Sequence, residues 1–273
     1  QVTHTVELLE QGATLPFIAR YRKEYTGNLD ETQISSVQEK LQKLEAVNKR
    51  RQSMLQTLEE QGNLTDELKK QLETTWDLQT LEDLYLPYKP KRQTRAEKAR
   101  KAGLEPLAKI LWKQAQDDVA SRAKAFLSQD ITEVDQALQG ARDIIAEWVS
   151  ENRKARQDLR KLYQNAATLQ ARVISGKEET GHKYKDYFDF EEQLGKIPAH
   201  RLLAVFRGER EGVLRLKTGP AKEDALTKLN RLFLKKQSDA ADQVEQAIQD
   251  SYQRLLKPSL DTEFRNQAKE KAD

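Results

Sequence analysis

The sequence predicts a mainly α-helical protein: an irregular multi-helix assembly with one long amphipathic helix and a small inserted α/β subdomain. Three observations carry this. Apolar residues recur at three- and four-residue steps over most of the 273 positions, the spacing of a single helix face. Glycine and proline, which punctuate helices, number only 11 and 7. Period-two alternation, the mark of a half-buried strand, is confined to LQARVIS (169–175) and GVLRLKT (212–218).

In chain order, Asp30-Glu31-Thr32-Gln33 reads as a capping box that opens the long helix. Its apolar positions are Ile34, Val37, Leu41, Leu44, Val47, Met54, Leu55 and Leu58; Asn48 and Arg51 fall on the same seam, which disfavours an extended coiled coil. Gly62 stands where a helix ends in a left-handed residue. Thr65 caps TDELKKQLETT, and DLQTLEDLYLPY follows. Pro87 and Pro90 stop that helix and hold an extended elbow, with Tyr85, Leu86 and Tyr88 turned inward and Lys89, Lys91 and Arg92 outward.

Further on, Val134, Ala137, Leu138, Ala141, Ile144, Ile145 and Trp148 form an amphipathic stripe. Two or three short strands are expected from the alternating segments, with KYKDYFDF and a short helix from Pro198 to Gly208 between them. Leu226, Leu229, Leu232 and Phe233 form another stripe, and Val244, Ile248, Tyr252 and Leu255 the last. Pro258 is expected to break that helix and start a new one. No internal repeat is visible, which disfavours a solenoid.

Composition narrows the function classes. Charged residues make up 33% of the chain against about 25% in an average domain, and only 37% are hydrophobic, so wide solvated faces are expected. The formal charge of +3 is too small to steer polyanions globally; nucleic-acid contact would come from local clusters. There is no cysteine, which removes disulfides, thiolate metal sites and a cysteine nucleophile together and points to the cytoplasm. No apolar run approaches the roughly 20 residues of a membrane span. The first residue is Gln1 rather than Met, so a longer N-terminus is expected.

Candidate chemistry is sparse. His4, His182 and His200 stand apart without ligand spacing, so neither a metal nor another cofactor is expected. Ser175-Gly176-Lys177 lacks the upstream glycine of a phosphate loop, since Ala171 occupies that position. Asp186, Asp189, Glu191 and Glu192 crowd near His182, but a sequence-local acidic run does not make a converging two-metal site, and no G-x-S-x-G elbow occurs. No enzyme is expected. Tyr184, Tyr187, Phe188 and Phe190, interleaved with Lys183 and Lys185, have a composition that can stack bases or anchor a core.

The basic clusters carry the functional reading. The first is Arg20, Arg22 and Lys23 within PFIARYRKEYTG. The second is Lys89, Lys91, Arg92 and Arg95, continued by Lys98, Arg100 and Lys101 against the single Glu97. A third holds Arg153, Lys154, Arg156, Arg160 and Lys161. Arg95, Lys98, Lys101 and the residues on the Lys91 side cannot all share one helical face, which weakens a single basic stripe there. Phosphates require charge without base-reading geometry, and an elbow fixed by prolines presents charge at a set place.

Three blocks have a familiar pattern: TVELLEQGATLPFIARYRKEYTGNLDE, LEDLYLPYKPKRQTRAEKARKAGLEPLA and VISGKEETGHKYKDYFDFEEQLGKIPAHRLLAVFRGEREGVLRL. In that order they resemble the N-terminal region of the Tex family of bacterial transcription accessory proteins. The resemblance implies a fragment whose family continues into RNase-H-like, helix-hairpin-helix and OB-fold RNA-binding domains. It also implies that the segment around Ile197 to Leu216 belongs to a helix-turn-helix-like subdomain, where Arg201, Arg207 and Arg210 are available to nucleic acid while Leu202, Leu203, Val205 and Phe206 have a core duty. The expected division is 1–166 (helical), 167–220 (the small subdomain) and 221–273 (helices leading to downstream domains). The expected function is a helical scaffold making sequence-independent RNA or DNA contacts through phosphates; the alternative is a module docking on RNA polymerase or another transcription or translation factor. No membrane partner is expected.

Overall fold

Six helices form the first part of the chain: α1 (Val2–Glu10), α2 (Leu15–Tyr21), α3 (Lys23–Thr26), α4 (Glu31–Glu60), α5 (Asp66–Thr74) and α6 (Leu78–Tyr85). The computed structural model describes residues 1–90, 93–115, 118–235 and 237–272. The chain divides into two units, Gln1–Pro90 and Lys91–Asp273.

In the first unit, both ends of α4 are built as the sequence dictates. The Gln33 amide donates to Asp30 Oδ1 at 2.8 Å while the Asp30 amide donates to Gln33 Oε1 at 3.0 Å, satisfying two orphan donors reciprocally. At the far end Gly62, at φ +69°, donates to the Glu59 carbonyl and Asn63 to the Leu58 carbonyl, the pair of bonds that closes a helix through a left-handed residue. The apolar stripe, however, is packed only at its ends. Ile34 joins Leu8 and Ile18 in one small cluster. Val47, Met54 and Leu58 join Leu68, Leu72, Leu81, Leu84 and Tyr85 in another. Between them Leu44 is 46% exposed. Arg51, on the seam, is buried by donating from Nη2 to the Thr75 carbonyl (3.1 Å) under the Trp76 ring.

The second unit holds α7 (Arg95–Lys101), α8 (Glu105–Lys113), α9 (Val119–Lys124), α10 (Val134–Glu151), α11 (Arg153–Ala166), β1 (Thr168–Val173), β2 (Asp189–Gln193), α12 (Ala199–Arg210), β3 (Leu214–Gly219), α13 (Lys222–Phe233), α14 (Asp239–Asp250) and α15 (Lys257–Ala272). The strands form one antiparallel sheet in the order β2-β1-β3, with Ala171 opposite Phe190 on one side and Leu216 on the other. These three side chains share one continuous core with Ile144 and Ile145 of α10 and Val244 and Ile248 of α14. The architecture is mainly α, with a small sheet set into it.

One expectation is given its observed elements here, and one is corrected. Residues 197–216 contain one helix, α12, which lies between β2 and β3; it is a strand–helix–strand unit, because the alternation after Gly212 commits the chain to pairing with β1. The chain does not break at Pro258. A π-helical turn, Ser251–Leu256, carries α14 into α15. Its wider hydrogen-bond spacing relieves the clash between a proline ring and the carbonyl four residues back. The same turn shifts the buried stripe by one residue: Leu256 is fully buried in place of the expected Leu255, in line with Tyr252 and Leu260. In α13, similarly, Leu232 is 37% exposed while Ala225, Leu229 and Phe233 face the core.

Candidate nucleic-acid interface

The first basic cluster is set by a short helix and a tight corner. Pro16 fixes the first turn of α2, and Ile18, fully buried, pins that helix to the cluster under α4. At the corner, Thr26 Oγ1 donates to the Arg22 carbonyl (3.1 Å). Gly27 at φ +69° turns the chain where an added Cβ would lie 2.5 Å from the Gln1 side chain. With Ile18 inward, Arg20, Arg22 and Lys23 point to solvent, and among the described residues none of them meets a carboxylate within ion-pair distance.

Aromatic rings stand among these cations. Tyr21 is 68% exposed and Phe17 40%, with ring centroids 5.5 Å apart, and the Arg22 guanidinium lies 5.4 Å from the Phe17 centroid. Tyr25 is fixed: its ring stacks on His4 at 4.4 Å and its hydroxyl donates to Glu7 Oε2 at 2.9 Å, which raises the phenol's pKa above its ordinary value. Leu8, Gln11 and the run from Arg20 to Tyr25 enclose an open hollow of about 760 Å³.

The second cluster is divided by the fold. After α6 a 3-10 turn, Leu86–Tyr88, leads into Lys89, which is extended and exposed. Tyr85 is buried and Tyr88 half-buried against the α4–α6 cluster, so the elbow is anchored through its aromatics. Arg50, held by Glu82 at 2.6 Å, lies against the Tyr85 ring. Lys91 and Arg92 lie outside the described residues. In α7, capped by Thr94, Ala96 and Ala99 face the core while Arg95 and Lys98 are exposed. Arg100 turns inward to Glu147 at 2.7 Å, and Lys101 meets Glu97 at 3.8 Å.

Elsewhere the cations have internal duties. Arg201 pairs with Glu192 at 3.0 Å across the Phe190 ring, whereas Arg207 is exposed. In the third cluster Arg156 is buried, donating to Ser259 Oγ and the Ser150 carbonyl, and Arg160 meets Glu263 at 2.8 Å with both side chains nearly buried. The acidic run behaves as a strand edge: Asp189 pairs with Arg172 at 2.7 Å and Glu191 accepts from Gln170 at 3.0 Å. Among the described residues no three metal-ligating side chains converge. Tyr184 and Phe190 are buried, with Tyr187 and Phe188 packed on the core, so these aromatics anchor the sheet and offer no platform for bases. Burial and the Asp261 carboxylate push the Tyr163 phenol far above its ordinary pKa, another internal contact at 2.7 Å.

Two family descriptions fit this chain: residues 1–59 match the Tex-like protein N-terminal domain, and residues 114–273 match the Tex central region-like family. The chain belongs to the Tex family. It is 45% identical over 216 residues to the transcriptional accessory protein Tex of Neisseria gonorrhoeae, a match that covers 79% of this chain and 28% of that protein. It is 46% identical over 218 residues to Protein YhgF of Escherichia coli strain K12, with the same coverage of 79% and 28%. The S1 RNA-binding domain-containing protein 1 of Pongo abelii is 30% identical over 278 residues, covering 96% of this chain and 28% of that protein. The chain thus spans 28% of the length of each of these relatives.

Arg20, Arg22 and Lys23 fall inside the segment matching the Tex N-terminal domain, and Arg201 and Arg207 inside the Tex central region. Lys89 and Arg95 lie between the two matched segments. Reasoning from charge missed Phe17 and Tyr21. Their i, i+4 spacing in LPFIARY puts them on a common face beside Ile18, and a seven-residue helix has room for only one buried face.

Proposed function

We propose that this Tex-family chain is a non-enzymatic helical scaffold of a transcription accessory protein, residing in the cytoplasm and contributing sequence-independent contacts to RNA or DNA phosphates. The supporting observation is the α2–α3 corner, where Arg20, Arg22 and Lys23 line one hollow and, among the described residues, pair with no carboxylate. Unpaired cations held by a buried anchor meet the electrostatic requirement of phosphate binding and carry no base-reading geometry. Lys89 and Arg95 offer further exposed charge, as does Arg207. The relative named for an S1 RNA-binding domain supports RNA as a partner of the longer protein. Other surfaces of the scaffold pack against further domains of that protein. No described helix is long and apolar enough to cross a membrane, and the chain carries no cysteine, both in keeping with this placement.

A second reading has its own observation: Leu44, Trp76 and Leu78 are 46%, 56% and 45% exposed, apolar surface of a kind used in docking proteins. On that reading the chain docks on RNA polymerase or another transcription or translation factor. Fluorescence anisotropy with single-stranded RNA and duplex DNA over a salt series separates the two. Phosphate binding gives affinity insensitive to sequence and falling steeply with salt; the docking reading gives no nucleic-acid binding at low salt and a protein complex that survives high salt.

A further inference from the structure

We infer that Tyr21 and Phe17 form a stacking surface for unpaired bases, so that the ligand of the α2–α3 corner is single-stranded nucleic acid. The inference rests on the phosphate-contact reading above and adds a second element to it.

A helix of a small unit normally spends its aromatics on the core. Here Ile18 takes the core position of α2, leaving Tyr21 the most exposed large apolar side chain among the described residues, with Phe17 one helical turn behind it. Among the described residues the Tyr21 hydroxyl makes no hydrogen bond, unlike Tyr25, whose ring and hydroxyl are both engaged by α1. Tyr21 is 68% exposed with its ring tilted 42° to that of Phe17, and the Arg22 amide donating to the Ile18 carbonyl at 3.1 Å closes the helix turn that carries it. The Arg22 guanidinium lies over the Phe17 ring at 5.4 Å, a cation–π contact that holds a positive charge beside Tyr21.

Charge decides the kind of partner. Three cations line the hollow beside Tyr21 against one carboxylate, Glu24. A polyanion with flat apolar groups at regular intervals satisfies both features, and single-stranded nucleic acid is that polymer: the phosphates meet Arg20 and Lys23 while a base covers the ring. In a duplex the faces of the bases are already occupied, so only the phosphate contribution is available.

The test uses the whole chain and three fluorescent 12-mers of equal charge and ionic strength: a uridine RNA, an abasic oligomer with the same phosphates, and, as competitor, a glutamate peptide. Stacking gives the RNA about a 5- to 140-fold advantage over the abasic oligomer per stacked base. Tyr21→Ala should remove that advantage without changing the salt dependence, Tyr21→Trp should keep it, and circular dichroism should show both folded. Equal affinity for RNA and abasic oligomer, with both weakened by Ala at Arg20, Arg22 and Lys23, overturns stacking and leaves phosphate binding standing. Loss of neither oligomer in that triple variant, or no binding by wild type, overturns both. Full displacement by the glutamate peptide at the RNA's own midpoint concentration assigns the corner to acidic polypeptides and overturns the inference.

Discussion

Ile18→Ala should detach the basic corner from the rest of its unit. The cluster that holds α1 and α2 on α4 contains three buried hydrophobic side chains, Leu8, Ile18 and Ile34, the last two fully buried. Truncating a buried isoleucine costs roughly 2–5 kcal/mol, by lost transfer energy plus the cavity left behind. A cluster this small has few neighbours able to collapse into that cavity, and a local opening reaction needs no other part of the protein to unfold. Native-state hydrogen exchange read by mass spectrometry measures the loss directly. Amides of α1, α2 and α3 should lose protection by about 30-fold to a few thousandfold, the same energy converted at about 1.4 kcal/mol per decade. Those of α10 and α14, in a core of their own, should not change. Oligonucleotide affinity should fall with the corner's protection, since Arg20, Arg22 and Lys23 would lose their fixed geometry. Unchanged protection over residues 1–29, or a lost corner with undiminished affinity, would refute the reasoning that this anchor organises the site.

Further outcomes follow from other contacts. Gly181→Ala should destabilise the second unit by roughly 1–3 kcal/mol in urea unfolding, because a Cβ there would meet Val213 Cγ1 at 2.2 Å and the Lys177 carbonyl at 2.7 Å. Arg160→Ala strands the nearly buried Glu263 carboxylate and should cost about 3–5 kcal/mol by the same method, whereas Lys154→Ala, which breaks an exposed pair with Asp158, should cost less than about 1 kcal/mol. Burial raises the pKa of Asp143 against the opposing pull of Arg254. The folded state therefore holds this proton more tightly than the unfolded one. Its favourable contribution is complete below the ordinary aspartate value of about 3.9 and is lost as pH rises through the raised value. Asp143→Asn should flatten that fall in urea midpoints measured across the acid range; an unchanged pH profile would contradict it. Replacing Lys89, Lys91 and Arg92 together with Ala should weaken binding to RNA and duplex DNA alike, and unchanged affinity would remove the elbow from the interface.

Local features of the fold were legible in the sequence because their causes are local. The capping box at Asp30 and the left-handed Gly62 depend on residues within five positions, and both stand as read. The alternating segments 169–175 and 212–218 became β1 and β3 for the same reason. β2 was harder to see: in Asp189-Phe190-Glu191-Glu192-Gln193 only Phe190 is buried, and Glu192 is committed to Arg201. The π turn was illegible, since Pro258 looks like a break until Tyr252, Leu256 and Leu260 are seen packed on one core. At the candidate site, charge could be counted in the sequence but partners could not. Arg100, Arg156, Arg160 and Arg201 find theirs on elements distant in the chain, while among the described residues Arg20, Arg22 and Lys23 pair with no carboxylate.

The most direct test of the phosphate-contact account is the slope of log affinity against log salt for duplex DNA. It should be compared between the wild-type chain and the variant with Ala at Arg20, Arg22 and Lys23. Each phosphate contact contributes about −0.9 to that slope, so the account predicts a variant whose slope is shallower by up to about 2.7. Parallel lines would contradict it and place the binding charge elsewhere on the chain.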